Sequence, residues 1–179
     1  IQKAAFGKVV MKPKRMSFTL ATSKQLLAQS SQDVEALLIN EILNAHAQGL
    51  EKAAINGGGT AEPKGILATT GIGEVIMGTT GDNLSWAKVV ELETKINTAN
   101  ADRGSLAYLT NPKVIGSAKT IEKVANTARF ILENGQMNGY NVASTTLVPS
   151  DLIKTTKNLS ALIFGNFNDL VIGQWGGLD

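Results

Sequence analysis

Residues 33–55 pass without a proline, and apolar side chains recur along them at helical spacing. Val34, Leu37, Leu38, Ile42 and Ala45 form one stripe, and Ile39, Leu43, Leu50 and Ala54 form a second on an adjacent face. Glu35, Glu41, Asn44, Gln48 and Glu51 populate the remainder. Ser30-Ser31-Gln32-Asp33 carries the S-x-x-[DE] capping signature ahead of the run. Asn56-Gly57-Gly58-Gly59 follows it, as glycines taking the left-handed conformation that ends a helix. The pattern predicts one helix of about 23 residues, roughly 35 Å long at ~1.5 Å per residue and about twice the usual globular length. A small single-core domain has little use for such a rod. A subunit that must brace something extended does.

Ahead of the rod the chain reads as an extended ribbon. Met16, Phe18 and Leu20 alternate with period two, a second run covers residues 6–11, and Lys12-Pro13-Lys14 separates them. Pro13 has no N–H to donate and suits a turn or an edge. Such a ribbon cannot bury itself alone. Residues 1–32 hold Lys3, Lys8, Lys12, Lys14, Arg15 and Lys24 with no acid, a charge of +6. The remainder, 11 basic against 15 acidic residues, carries −4. This asymmetry fits a nucleic-acid arm or a segment that docks on an acidic neighbour. Only Phe6 and Phe18 are interleaved with the charges, which weakens the nucleic-acid reading.

After the rod, residues 60–80 are rich in Gly and Thr and read as loops with short strands at Gly65-Ile66-Leu67 and Val75-Ile76-Met77. Ser85 caps a predicted helix running from Trp86 to about Ala101, stopped by Arg103-Gly104. Residues 106–110 form a strand, and Asn111-Pro112 opens a helix to about Ala118. From Ala128 on, the chain is mostly strand: residues 130–132, 141–143, 161–164 and 170–172, with turns at Asn134-Gly135 and Asn138-Gly139. The composite is α+β, with a boundary near residues 57–65.

Composition then removes chemistry. No Cys excludes a disulfide scaffold, a thiol nucleophile and Cys-ligated metal. His46 is the one histidine, so a multi-His metal site is impossible. It sits mid-helix with no G-x-S-x-G anywhere and reads as a packed helix residue. Gly57-Gly58-Gly59 lacks the spacing of a phosphate loop and follows a helix instead of a strand. Ser85-Trp86-Ala87-Lys88 matches S-x-x-K, but S-D-N and K-T-G are absent, so Ser85 reads as a cap. The sequons at Asn83 and Asn158 read as chance, and the four methionines as core filler. No run of 18 apolar residues is present, and no signal peptide is visible. The chain starts at Ile1 and not Met, as a processed product or part of something longer would. No catalytic, cofactor-binding or metal-binding residue emerges, which leans toward a structural role.

One ordered set of segments is specific. Ser23-Lys24-Gln25-Leu26-Leu27-Ala28-Gln29-Ser30, Asp33-Val34-Glu35-Ala36-Leu37-Leu38, Gly49-Leu50-Glu51-Lys52-Ala53-Ala54-Ile55-Asn56-Gly57 and Thr60-Ala61-Glu62-Pro63-Lys64-Gly65-Ile66-Leu67 resemble the major capsid proteins of tailed bacteriophages. The similarity continues through Leu84-Ser85-Trp86, Asn100-Ala101-Asp102-Arg103-Gly104, Leu109-Thr110-Asn111-Pro112 and Asn138-Gly139-Tyr140. It closes with Phe164-Gly165-Asn166-Phe167 and Gly173-Gln174-Trp175-Gly176-Gly177-Leu178-Asp179.

The resemblance implies a phage-capsid-like α+β fold with a long spine helix, a compact mixed axial domain and part of an extended two-stranded arm. Residues 1–22 would be the returning leg of that arm, 23–65 the peripheral domain with the spine helix, and 66–179 the axial domain. It implies a non-enzymatic shell subunit without cofactors, found in the virion capsid after assembly in the bacterial host cytoplasm. Its partners would be copies of itself in hexamers and pentamers, packaged double-stranded DNA without sequence preference, and scaffolding, portal or protease proteins, with no membrane. Head-to-side docking between copies would use Lys8, Lys12, Lys14 and Arg15 on the ribbon and Glu35 and Glu41 on the spine helix. Relatives continue before Ile1 and after Asp179, so these 179 residues alone are expected to assemble poorly. A shell protein of a bacterial encapsulated compartment shares the fold, and flanking genes separate the two readings. A stand-alone nucleic-acid-binding module is the alternative of another class, and it predicts tight, steeply salt-dependent DNA binding by the monomer.

Overall fold

A computed structural model describes residues 10–29, 33–78, 80–154 and 157–176. Two compact units emerge. One is built from the described residues of Ile1–Gly65 and Ile172–Asp179, the other is Ile66–Val171.

The first unit is organised by its helices, α1 (Lys24–Gln29) and α2 (Val34–Asn56). The short α1 has no counterpart in the sequence reading, although Ser23 marks its start by accepting a hydrogen bond from the Leu26 N–H at 3.2 Å. The rod is present at its expected length of 23 residues. Asp33 caps it, its carboxylate accepting from the Ala36 N–H at 3.1 Å. Ser30, Ser31 and Gln32 of the expected signature lie outside the described residues.

The end of α2 corrects the sequence reading. Gly57 is not left-handed; its backbone is extended, at φ −63° and ψ 133°. Its glycine is required by crowding. A Cβ there would collide with the carbonyl oxygens of Pro63 and Ala53, where the chain folds back and the Gly65 N–H donates to the Gly57 carbonyl at 2.9 Å. Gly57→Ala is therefore expected to destabilise this unit by about 3 kcal/mol, the upper end for overpacking because the obstructing atoms are backbone. Gly58→Ala, with open space around its Cβ, is expected to change stability little. Thermal unfolding of the two variants checks the contrast.

The strand expected at residues 16–21 is also corrected. Residues 6–9 lie outside the described part, and residues 10–22 have no regular secondary structure and no strand partner among the described residues. The segment lies instead against α2. Met16 Sδ and Phe18 Cζ stand 3.0 and 3.4 Å from where a Cβ on Gly49 would be. The Phe18 ring meets His46 edge-on at 6.3 Å. The period-two alternation thus put Met16 and Phe18 on one face, but that face meets a helix rather than a second strand.

The second unit holds α3 (Trp86–Thr98), β1 (Leu106–Thr110), α4 (Pro112–Thr120), β2 (Leu132–Glu133), β3 (Gln136–Met137), β4 (Tyr140–Ser144), β5 (Leu152–Lys154), β6 (Lys157–Leu159) and β7 (Leu162–Asn166). Five strands form a sheet in the order β2-β3-β4-β1-β7. Central β1 pairs parallel with β4 and antiparallel with β7. Tyr108, in the middle of β1, is fully buried with Val89, Ala118, Ile131 and Met137. Its ring stacks on Phe164 at 4.2 Å, and Tyr140 meets Phe164 edge-on at 5.0 Å. At the end of β1, the Thr110 hydroxyl donates to the Ala161 carbonyl at 2.8 Å. Asn111 caps α4 by accepting from the Val114 N–H, while its amide donates to the Pro149 carbonyl. Both expected turns are present, with Asn134-Gly135 at φ 52° and 76° and Asn138-Gly139 at φ 51° and 82°. Those positive values suit the primed hairpin turns.

Other expectations change. Gly65-Ile66-Leu67 gives a 3-10 turn at Ile66–Ala68, and Val75-Ile76-Met77 is irregular. The α3 helix ends at Thr98, with Asn100 left-handed beyond it, rather than near Ala101. Ser85 occupies its cap position through its backbone carbonyl, which accepts from the Val89 N–H, without a side-chain bond. Residues 170–172 are not a strand. The β5–β6 hairpin was not foreseen.

Candidate functional site

The residues singled out in the sequence do not converge on a pocket. Lys8 lies outside the described residues. Lys14 is used within its own unit, its ammonium donating to the Thr60 carbonyl at 2.6 Å. Lys12 and Arg15 are exposed beside it. Glu35 and Glu41 are exposed on α2, and Glu41 rims a small groove with Phe18 and Leu20. The ion pairs among the described residues, Lys88–Glu91 at 2.7 Å and Lys123–Glu133 at 3.6 Å, involve none of them. Lys88, of the S-x-x-K match, is thereby committed to Glu91, and its hydrogen bond holds that carboxyl below the usual range. His46 is half-buried against Phe18.

One polar cluster went unnoticed in the sequence. The Glu93 carboxylate accepts from the Tyr140 hydroxyl at 2.9 Å and the Asn138 amide at 2.5 Å, tying the β3–β4 turn to α3. It has no nucleophile or cation within it, and it buttresses the hairpin. The Glu93 bond raises the Tyr140 phenol above its ordinary range, because ionisation would face a carboxylate. A raised folded value means the associated stability is full below about pH 10 and fades as pH rises through the folded value. The melting temperature is expected to fall more steeply above about pH 10 in the wild type than in Tyr140→Phe, measured by calorimetry.

The notable surface is apolar. Of the first stripe of α2, Ile42 and Ala45 share a small groove with Phe18 and Leu20, whereas Leu37 is exposed at 52%. The adjacent stripe is bare, with Ile39 at 51% exposure, Leu43 at 46% and Leu50 at 39%. Three large aliphatic side chains in line along one helix form the kind of patch that marks an interaction surface. The sequence displayed both stripes but not which of them the N-terminal segment would cover.

Residues 1–179 match the phage capsid family. The chain is 29% identical over 175 residues to the major capsid protein of Halomonas phage phiHAP-1, covering 97% of this chain and 27% of that protein. It is 25% identical over 194 residues to the major capsid protein of Klebsiella oxytoca phage phiKO2, covering 99% of this chain and 43% of that one. Among solved structures, the capsid of a native GTA particle matches with a TM-score of 0.61 at 23% identity, over 81% of this chain and 53% of that chain. The capsid of the empty GTA particle matches with a TM-score of 0.59. At this identity the likeness to the GTA capsids is one of fold. The chain spans between about a quarter and a half of the length of these relatives.

Proposed function

The chain belongs to the phage capsid family, and we propose on that premise that it is part of a structural, non-enzymatic subunit of an icosahedral phage-like head. The observation that carries this reading is the bare Ile39/Leu43/Leu50 stripe on a 23-residue helix, in a chain matched to the family along its whole length. Shell subunits need stiff edges and apolar contact area on several sides, which such a helix supplies. In this reading α2 is the spine helix of a peripheral domain, the unit at residues 66–171 is the axial domain expected at 66–179, and residues 10–22 belong to an arm. The partners are other copies of the subunit, packaged double-stranded DNA held without sequence preference, and the scaffolding, portal and protease proteins of head assembly.

The ribbon charges supply a direct check. Lys12, Lys14 and Arg15, reversed together to glutamate in the full-length protein, are expected to slow assembly and to remove much of its salt dependence. Velocity sedimentation across a salt series reads both. Unchanged assembly would show that these charges do not set subunit register. The shell reading itself fails if the wild-type full-length protein sediments only as a monomer under all these conditions.

A further inference from the structure

The second unit carries a braced loop at one end of α4 and an open groove beside the other. Residues 121–131 form the loop. The Lys123 N–H donates to the Arg129 carbonyl at 2.7 Å, and the Ile131 N–H to the Ile121 carbonyl at 3.0 Å. The Glu122 carboxylate folds inside the loop, accepting from the Asn126 N–H at 2.7 Å and the Ala128 N–H at 3.2 Å. Asn126 and Ala128 are left-handed, at φ 64° and 51°. For alanine this conformation costs on the order of 1 kcal/mol, and such strain persists only where the surroundings enforce it. The internal bonds hold the tip in one conformation and leave Val124 pointing outward at 62% exposure. With Glu122 occupied inside and Lys123 paired with Glu133 at 3.6 Å, the exposed Lys119 and Arg129 give the loop a positive surface.

The groove, about 590 Å³, lies along the first half of α4 against the β5–β6 hairpin. Val114, Leu159 and Leu162 line it, and Ile76 and Ile153 stand open to solvent, Ile153 at 78% exposure. Glu74 and Asp82 are acidic members of its lining, against a single cation, Lys113. The groove reaches Ser117, so about one turn of α4, roughly 6 Å, separates it from the loop.

We propose that the Val124 loop of one copy seats in the Ile153 groove of a second copy. The loop is apolar at its tip and basic at its base, and the groove is apolar inside with acidic members at its wall, so polarity and charge both match. Knob and groove are different surfaces of one chain, so each copy carries both halves of the contact and copies can follow one another head-to-tail. Contacts of this type close into rings when the rotation allows. The proposal rests on the shell reading and names the ring contact within it. A preformed loop also avoids the ordering cost that a flexible segment would bring to the interface.

The test uses the full-length protein with Val124→Cys and Ile153→Cys, in assemblies mixed from ordinary and ¹⁵N-labelled copies. Oxidation followed by mass spectrometry is expected to give a 124–153 disulfide joining labelled to unlabelled chains, and a ladder of linked copies on a non-reducing gel. Each single variant is expected to give no ladder. A link formed only within one chain, a link from the thiol introduced at position 153 to some other segment, or no link between two reactive thiols would overturn the proposal. Val124→Asp provides a second arm, with an expected tenfold loss of shell yield at an unchanged melting temperature. An unchanged yield counts against the contact. Wild-type shells without the 124–153 link in the double variant refute the contact and leave the shell reading standing, whereas a wild type that forms no shells removes both.

Discussion

Replacing Tyr108 with alanine is expected to destabilise the second unit by about 3–5 kcal/mol, a large share of the roughly 5–15 kcal/mol that holds a typical domain folded. Tyr108 is fully buried at the centre of β1, and its ring stacks on Phe164 at 4.2 Å and faces Tyr140 at 6.3 Å. Truncation removes the ring around which the aromatic cluster packs and leaves a cavity that β1, paired on both edges, cannot collapse to fill. Tyr108→Phe is the informative partner. The hydroxyl reaches the Val89 carbonyl only at 3.5 Å and has the Asn138 amide as a second partner, so its loss is expected to cost about 1 kcal/mol, well below the loss of the ring. Denaturant unfolding followed by circular dichroism separates ring from hydroxyl. Equal losses in the two variants would contradict the packing account.

The largest effect on assembly is expected from the bare stripe of α2. Ile39, Leu43 and Leu50, changed together to lysine, are expected to abolish shells of the full-length protein. Buried apolar anchors at an interface are each worth on the order of 2 kcal/mol, and each ~1.4 kcal/mol is tenfold in association, so three correspond to at least a thousandfold loss. In the 179-residue chain the same residues are exposed, and each change is expected to stay within about 0.5 kcal/mol of wild-type stability. Sedimentation of the full-length variant and thermal melting of the shorter chain read the two halves of the prediction. Wild-type shell yield from the triple variant would show that the stripe is not an interface.

Much of this architecture was legible in the residues, for identifiable reasons. The α2 helix, β1, the start of α4 and the two Asn-Gly turns are set by local rules: helical spacing, period-two alternation, an Asn-Pro start and residues tolerant of positive φ. What was misread depended on distant partners. Residues 16–20 alternate as a strand does, yet their apolar face meets Gly49 and Ile42 of a helix, and periodicity carries no information about the identity of the partner. Gly57 was attributed to torsional freedom, whereas the cause is the returning backbone at Pro63, near in sequence but visible as an obstacle only in three dimensions. Val75-Ile76-Met77 has strand-forming residues but no ladder to join among the described residues.

The assembly surface was half legible. Both stripes of α2 could be read from spacing alone, and only the path of the N-terminal segment decides which of their residues are covered. Charge asymmetry is visible in sequence and points to the charged residues of the N-terminal segment and α2 for docking. Of these, Lys14 is engaged by the Thr60 carbonyl, whereas the aliphatic Ile39, Leu43, Ile153 and Val124 stand open. Exposure of an apolar residue is a property of the fold, so no sequence pattern could have selected them.

Electron microscopy of the full-length protein, expressed from its complete gene, tests the shell reading most directly. The account predicts closed, regular shells whose reconstructions show the α2 stripe covered by protein. Dispersed monomers or small oligomers under every assembly condition, with α2 still bare, would contradict it.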